Sequence, residues 1–182
     1  MTVIQNNINQ ERVQALREQF LAVIWISFRR MVQQLQCYSL THPQFVTLFS
    51  LVAHGKPATM RQLTEVALQD APTMTGIVNR LVKMKLVQRT RREDDRRIVW
   101  VEATPKAITL VNDIQQDLQN NDLQGFGSLS NEQILKMEEI LDHLLTVYLQ
   151  NLHPHQADIN IAKKNLYNFA NNPINFIQNQ TE

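Results

Sequence analysis

Apolar residues return every three or four positions along most of this chain. Between 11 and 36, Val13, Leu16, Phe20, Val23, Ile24, Phe28, Met31 and Leu35 keep that interval with Arg and Gln between them, the period that gathers apolar side chains on one face of a helix. The spacing predicts one long amphipathic helix. A second helix is predicted to start at Thr41, whose hydroxyl can cap it. Pro43 falls in its first turn and Gln44 completes a capping box, while Phe45, Leu48, Phe49 and Val52 form its buried face. His54, Gly55, Lys56 and Pro57 break that run, and Met60, Leu63, Val66 and Ala67 predict a short third helix ending near Gln69.

The fourth predicted helix has Asp70 as N-cap, Pro72 in the first turn and a course to about Lys85. At about 100° per residue its Met74, Ile77, Val78 and Leu81 share one side, while Pro72, Gly76, Asn79, Arg80 and Lys83 share the other. One side packs and the other faces out. Gly76 in mid-helix costs about 1 kcal/mol relative to Ala, and on the outward face it fills no core, so close approach of the helix backbone to another body is the motive it suggests.

Alternation then replaces the helical period. Residues 86–89 and 98–103 are rich in β-branched and aromatic types and bracket a charged loop over 91–97, as a two-stranded hairpin would. Thr104 caps a fifth helix with Pro105 at its first position. Ile108, Val111, Ile114 and Leu118 are its expected buried stripe, and Gly125 and Gly127 its end. A sixth follows at once, announced by a Ser130/Gln133 capping box and a Leu129/Ile134 staple. Its stripe of Leu135, Ile140, Leu141, Leu144, Leu145, Tyr148 and Leu152 spans about 22 residues, roughly 33 Å of helix. So long an apolar face calls for a partner. After His153 and Pro154, Ile159, Ala162, Leu166 and Phe169 predict one extra helix before a frayed end.

Composition agrees with a mainly α chain carrying one small β-hairpin. The 182 residues include 43% hydrophobic side chains but only four Gly and six Pro, which favours helices over a many-stranded sandwich. With a single cysteine, Cys37, no intrachain disulfide can form. The start lacks the basic region of a signal peptide, and the apolar stretch 20–26 is too short to span a bilayer before Arg29 and Arg30. A soluble cytoplasmic protein is expected, with no membrane partner.

Charge changes the picture more than composition does. Residues 80–97 hold eight of the eighteen Lys and Arg residues against Glu93, Asp94 and Asp95, a local net charge of +5; with +1 overall, the remainder is −4. Local positive potential on a helix and an adjacent hairpin is what attracts phosphates and releases their counterions. No phosphate-cradling glycine loop, HExxH, GxSxG or paired-cysteine spacing occurs. Neither an enzyme nor a cofactor is expected. His153 and His155 flank Pro154 without cysteine or carboxylate ligands nearby, so no metal site is assigned.

The ordered set of elements and residues resembles the MarR family of winged helix-turn-helix transcriptional regulators. Ser39-Leu40-Thr41-His42-Pro43-Gln44-Phe45 is similar to the family's entry into its second helix, and Thr73-Met74-Thr75-Gly76-Ile77-Val78-Asn79-Arg80-Leu81 to its recognition helix. Leu86-Val87-Gln88-Arg89 and Asp94-Asp95-Arg96-Arg97 resemble the strand and wing that follow. On this resemblance residues 1–152 form one domain, with the winged helix-turn-helix at about 57–104 and dimerisation helices at about 11–36 and 105–152. Residues 153–182 are a C-terminal extension. The hairpin tip lacks the glycine often seen there, and Ala107 stands where the family commonly has glycine.

The resemblance implies a repressor that binds double-stranded DNA as a homodimer at a pseudo-palindromic operator. Its fourth helix would enter the major groove with Thr73, Thr75, Asn79, Arg80 and Lys83 as contacts and Gly76 admitting the backbone. Arg can bond guanine bidentately and Asn adenine. In the hairpin, Asp95 and Arg97 stand two apart on an extended arm, able to pair so that the guanidinium is held toward a minor groove, while Arg91, Arg92 and Arg96 would meet phosphates. Relatives also imply a small aromatic or anionic effector, for which Trp25, Phe28, Tyr38 and Phe45 are candidates. A redox role for Cys37 is set below that of a plain buried thiol. The rival function is a winged-helix protein-interaction module that leaves DNA alone.

Overall fold

The computed structural model describes residues 2–91, 98–152 and 159–171. They divide into two bodies, Met1–His42 and Pro43–Glu182.

The first body is essentially one helix, α1 (Thr2–Cys37), which starts well before the residue 11 that periodicity predicts. It ends without glycine. Ser39 takes the left-handed conformation at φ 58°, its N–H donates to the Gln36 carbonyl at 2.9 Å, and the Leu40 N–H reaches back to the Leu35 carbonyl at 3.0 Å. These two bonds satisfy carbonyls that the helix end would otherwise leave unpaired. His42 meets the Phe28 ring edge-on at 5.2 Å, and burial lowers its pKa.

In the second body, α2 (His42–His54) breaks where His54 to Pro57 predict, with Gly55 at φ 67°. Phe45 and Leu48 are buried as expected, but Leu51 lies deeper than Phe49 or Val52. Two buried hydroxyls, Thr47 and Ser50, donate to the Pro43 and Val46 carbonyls at 2.8 and 2.7 Å, which removes the penalty of placing them inside. A two-residue strand, β1 (Ala58–Thr59), comes next and was not predicted. Its Thr59 also caps α3 (Met60–Ala67) in a reciprocal box with Gln62. Leu68, at φ 50°, turns the chain toward α4 (Ala71–Lys83).

Lys85, at φ 59°, closes α4 in the same way as Ser39 closes α1. Its N–H bonds the Val82 carbonyl at 2.9 Å and the Leu86 N–H bonds Leu81 at 3.0 Å. The hairpin strands β2 (Val87–Thr90) and β3 (Trp100–Ala103) pair antiparallel in the register Val87↔Ala103 to Thr90↔Trp100, and β1 adds to the other edge of β3. The core of this region comes from Leu48, Leu51, Leu63, Val66, the inner face of α4, Leu86, Val87 and Val101, all buried.

Helix α5 (Pro105–Phe126) corrects the predicted stripe. Ile108 is 46% exposed and Ala107 is fully buried instead. At about 100° per residue, 107, 111, 114 and 118 share a face from which 108 is rotated by one step. Gly125 lies within this helix and does not end it. Helix α6 (Asn131–Leu152) opens with the predicted Ser130/Gln133 box, at 2.8 and 3.3 Å. Helix α7 (Ile159–Asn171) packs on it, burying Ala162 and pairing Lys163 with Asp142.

Asp70 caps α4 by accepting the Thr73 N–H at 2.7 Å. Hydrogen bonding from the Thr73 side chain, then from its backbone, holds the Asp70 carboxyl below its ordinary pKa. A depressed carboxylate stabilises the fold above its unfolded pKa and loses that contribution as pH falls through the folded one. Asp70→Ala is therefore expected to melt below the wild type at pH 7. Thermal unfolding scans should show the gap narrowing once pH drops under about 4.

Candidate nucleic-acid interface

Met74, Ile77, Val78 and Leu81 anchor α4 from within, between 0% and 9% exposed. Helical geometry then sends Thr73, Thr75, Gly76, Asn79, Arg80 and Lys83 outward, and all six are exposed. Thr75 turns its hydroxyl onto the Ala71 carbonyl at 2.8 Å, so its proton is committed within the helix. A side chain added at Gly76 would meet nothing within 4 Å. Packing among the described residues therefore gives no reason for a glycine there. Arg80 and Lys83 have no ion-pair partner among the described residues.

The hairpin is held against this helix. On β2 the side chains alternate, so Val87 and Arg89 face α4 while Gln88 turns away to bond Glu102 at 3.0 Å. The Arg89 guanidinium donates to Asn79 Oδ1 at 2.7 Å. Thr104 fastens the far side of the turn. Its hydroxyl lies 2.9 Å from the Lys85 carbonyl and 3.1 Å from that of Leu86, and it accepts the Ala107 N–H at 3.3 Å. Lys106 adds a bond to the Met84 carbonyl at 3.2 Å. A set of bonds thus links the end of α4, the first hairpin strand and the start of α5.

Arg89 was not among the candidate residues. The period-2 pattern could have found it, since a cation two positions after a buried valine must lie on the valine's side of the strand. Arg91 is exposed just beyond β2. Arg92, Asp95, Arg96 and Arg97 lie outside the described residues, as does the proposed Asp95 to Arg97 bond.

The remaining candidates divide. Trp25 and Phe28 are exposed, at 60% and 43%, and Tyr38 is half-buried in the same body; Phe45 is buried in the other body, stacked on Phe49 at 6.0 Å. These four form no common cage within either body. Trp25 instead lies under the Arg29 guanidinium, 5.9 Å from the ring centre. Cys37 is exposed, not buried. It is the last residue of α1, where the helical register turns it out, and its thiol points at the Gln33 carbonyl at 3.8 Å. No cluster of three potential metal ligands occurs among the described residues, and no helix among them is long and apolar enough to cross a membrane.

Comparison with known proteins places this geometry. The MarR family model matches residues 40–99, the span from the entry of α2 to the return of the hairpin. The transcriptional regulator MgrA of Staphylococcus aureus is 28% identical over 113 residues, covering 61% of this chain and 74% of its own length. A crystal structure of MepR, a transcription regulator of the S. aureus multidrug efflux pump MepA, superposes with a TM-score of 0.67 at 22% identity, covering 71% of this chain and 95% of that one. A variant of MepR has been solved bound to an oligodeoxyribonucleotide. The structure of a MarR family protein from Bacillus stearothermophilus gives a TM-score of 0.62 at 28% identity, covering 74% of this chain and 94% of that one. Over the helix-turn-helix in sequence and over the winged unit in fold, the chain is similar to MarR-family transcriptional regulators.

Proposed function

We propose that the chain represses transcription as a homodimer, with α4 of each subunit in the major groove of one half of a pseudo-palindromic operator. The observation that carries this reading is the outward face of α4. It combines exposed Arg80 and Lys83 with a glycine, Gly76, whose missing side chain no contact among the described residues requires. Arg80 and Asn79 are its candidates for base contact, and Thr73, Thr75 and Lys83 for bases or phosphates. Arg91, Arg92 and Arg96 of the hairpin would meet phosphates on either side of a minor groove. Arg97, steadied by Asp95, would enter that groove, where narrow width strengthens the negative potential. A small aromatic or anionic effector would release the operator.

Self-association is supported by apolar surface that each body leaves exposed. On α1, Val13, Leu16, Val23 and Ile26 are each more than half exposed, and on α6 so are Leu135, Ile140, Tyr148 and Leu152. Exposed apolar stretches of this extent mark interaction surfaces. A twofold pair would set two recognition helices about 34 Å apart, one duplex turn.

Gly76→Ala separates folding from recognition. The added methyl is expected to raise stability by about 0.5–1 kcal/mol in chemical denaturation, because Gly is the poorer helix former. The same variant should bind operator duplex more weakly in a gel-shift titration at fixed salt. Unchanged or tighter binding would count against close approach of the helix backbone. Sedimentation of the wild type at micromolar concentration should give a dimer, and a monomer there would refute the twofold arrangement.

A further inference from the structure

Among the described residues, a side-chain hydrogen bond joins the exposed face of α4 to the wing, from Arg89 Nη1 to Asn79 Oδ1, 2.7 Å long. A guanidinium has only donors to offer. The amide atom facing it must therefore be the carbonyl oxygen, which leaves the NH₂ of Asn79 at the end directed away from the strand. Asparagine on an open helix face could otherwise turn either end outward at little cost. Here the strand decides. Arg89 reaches the helix because it lies in register with buried Val101 and two residues beyond buried Val87, on the side of β2 that packs on α4.

We infer that Arg89 sets sequence preference by fixing Asn79 as an outward hydrogen-bond donor, so that the base beneath Asn79 must offer an acceptor and cytosine is rejected there. The inference rests on the major-groove reading above. Guanine and adenine present N7 in that groove and thymine presents O4, whereas cytosine presents only the N4 amino donor. An amide NH₂ set against that amino group leaves both donors without partners in a desolvated contact, and such a mismatch discriminates by repelling the wrong base. Arg89 does this without touching a base. It is a positioning residue acting through Asn79, and its own charge adds a contribution common to all sequences.

Selection of bound duplexes from a random pool, at one salt concentration, tests the assignment with three proteins. The wild type should deplete cytosine about tenfold at one position of each half-site, the size of one well-made base contact. Arg89→Met should bind every duplex more weakly and lose the depletion at that position alone. Asn79→Asp keeps the shape and the Arg89 contact but turns an acceptor outward, so cytosine, whose N4 can donate to it, should become enriched at the same position.

Undiminished depletion in a folded Arg89→Met protein would overturn the inference. Should that variant fail to fold by circular dichroism, Asn79→Asp decides alone, and continued rejection of cytosine by it would overturn the inference equally. A wild type that selects a defined operator tolerant of cytosine at every position sinks the role of Arg89 and leaves the DNA reading standing. A wild type that binds no duplex sinks both.

Discussion

The arrangement depends on burying one side of a thirteen-residue helix. Met74, Ile77, Val78 and Leu81 of α4 are sealed in the second body, and each such side chain is worth about 1.5–3 kcal/mol relative to exposure. Rotating the helix to hide Arg80 or Lys83 would surrender that and bury unpaired charge as well. The outward direction of the cationic face is thus a by-product of packing. Asp70 at one end and the Lys85 turn at the other set where the helix starts and stops, and so which residues occupy that face.

The wing is tied to the same helix by short-range chemistry. The turn at Lys85 delivers the chain directly into β2, and Thr104 and Lys106 bond back to the carbonyls of Met84, Lys85 and Leu86. Arg89 completes the link from the strand side. Helix and hairpin therefore present themselves as one surface, which is what a ligand with two adjacent grooves calls for. The same bonds reach the first turn of α5, where Ala107 is fully buried. Glycine is common at that place among the resembling regulators, and a methyl group fits it here.

Much of this was legible in the residues, because the clearest signals were local. The Asp70 cap, the Ser130/Gln133 box, the Pro105 start and the buried quartet of α4 follow from side-chain oxygens, ring geometry and a 3.6-residue period. Helix ends were harder to read. Ser39, Leu68 and Lys85 all adopt positive φ where glycine is the usual marker, so the ends of α3 and α4 were placed two residues late, near Gln69 and Lys85 instead of at Ala67 and Lys83. Strand β1 was too short to alternate, and it became a strand only because β3 lies beside it. Ile108 was assigned to the stripe with Val111, Ile114 and Leu118, but the face those three share runs through Ala107 instead. Cys37 was placed inside for its usual habit as a small hydrophobe, but a residue at a helix end follows the register it is given. The Arg89 to Asn79 bond needed the strand's facing direction as well as the helix's.

Uptake of phosphate-rich duplex by the cationic face of α4 is read directly by the dependence of affinity on salt. The association constant of wild type and of an Arg80→Ala, Lys83→Ala double variant for one operator duplex should be followed from about 50 to 200 mM salt. The wild type should lose affinity steeply, with a linear fall of log K against log salt, and the double variant's slope should be shallower by about 1 for each phosphate contact removed. Binding that is indifferent to salt, or slopes that coincide for the two proteins, would contradict it.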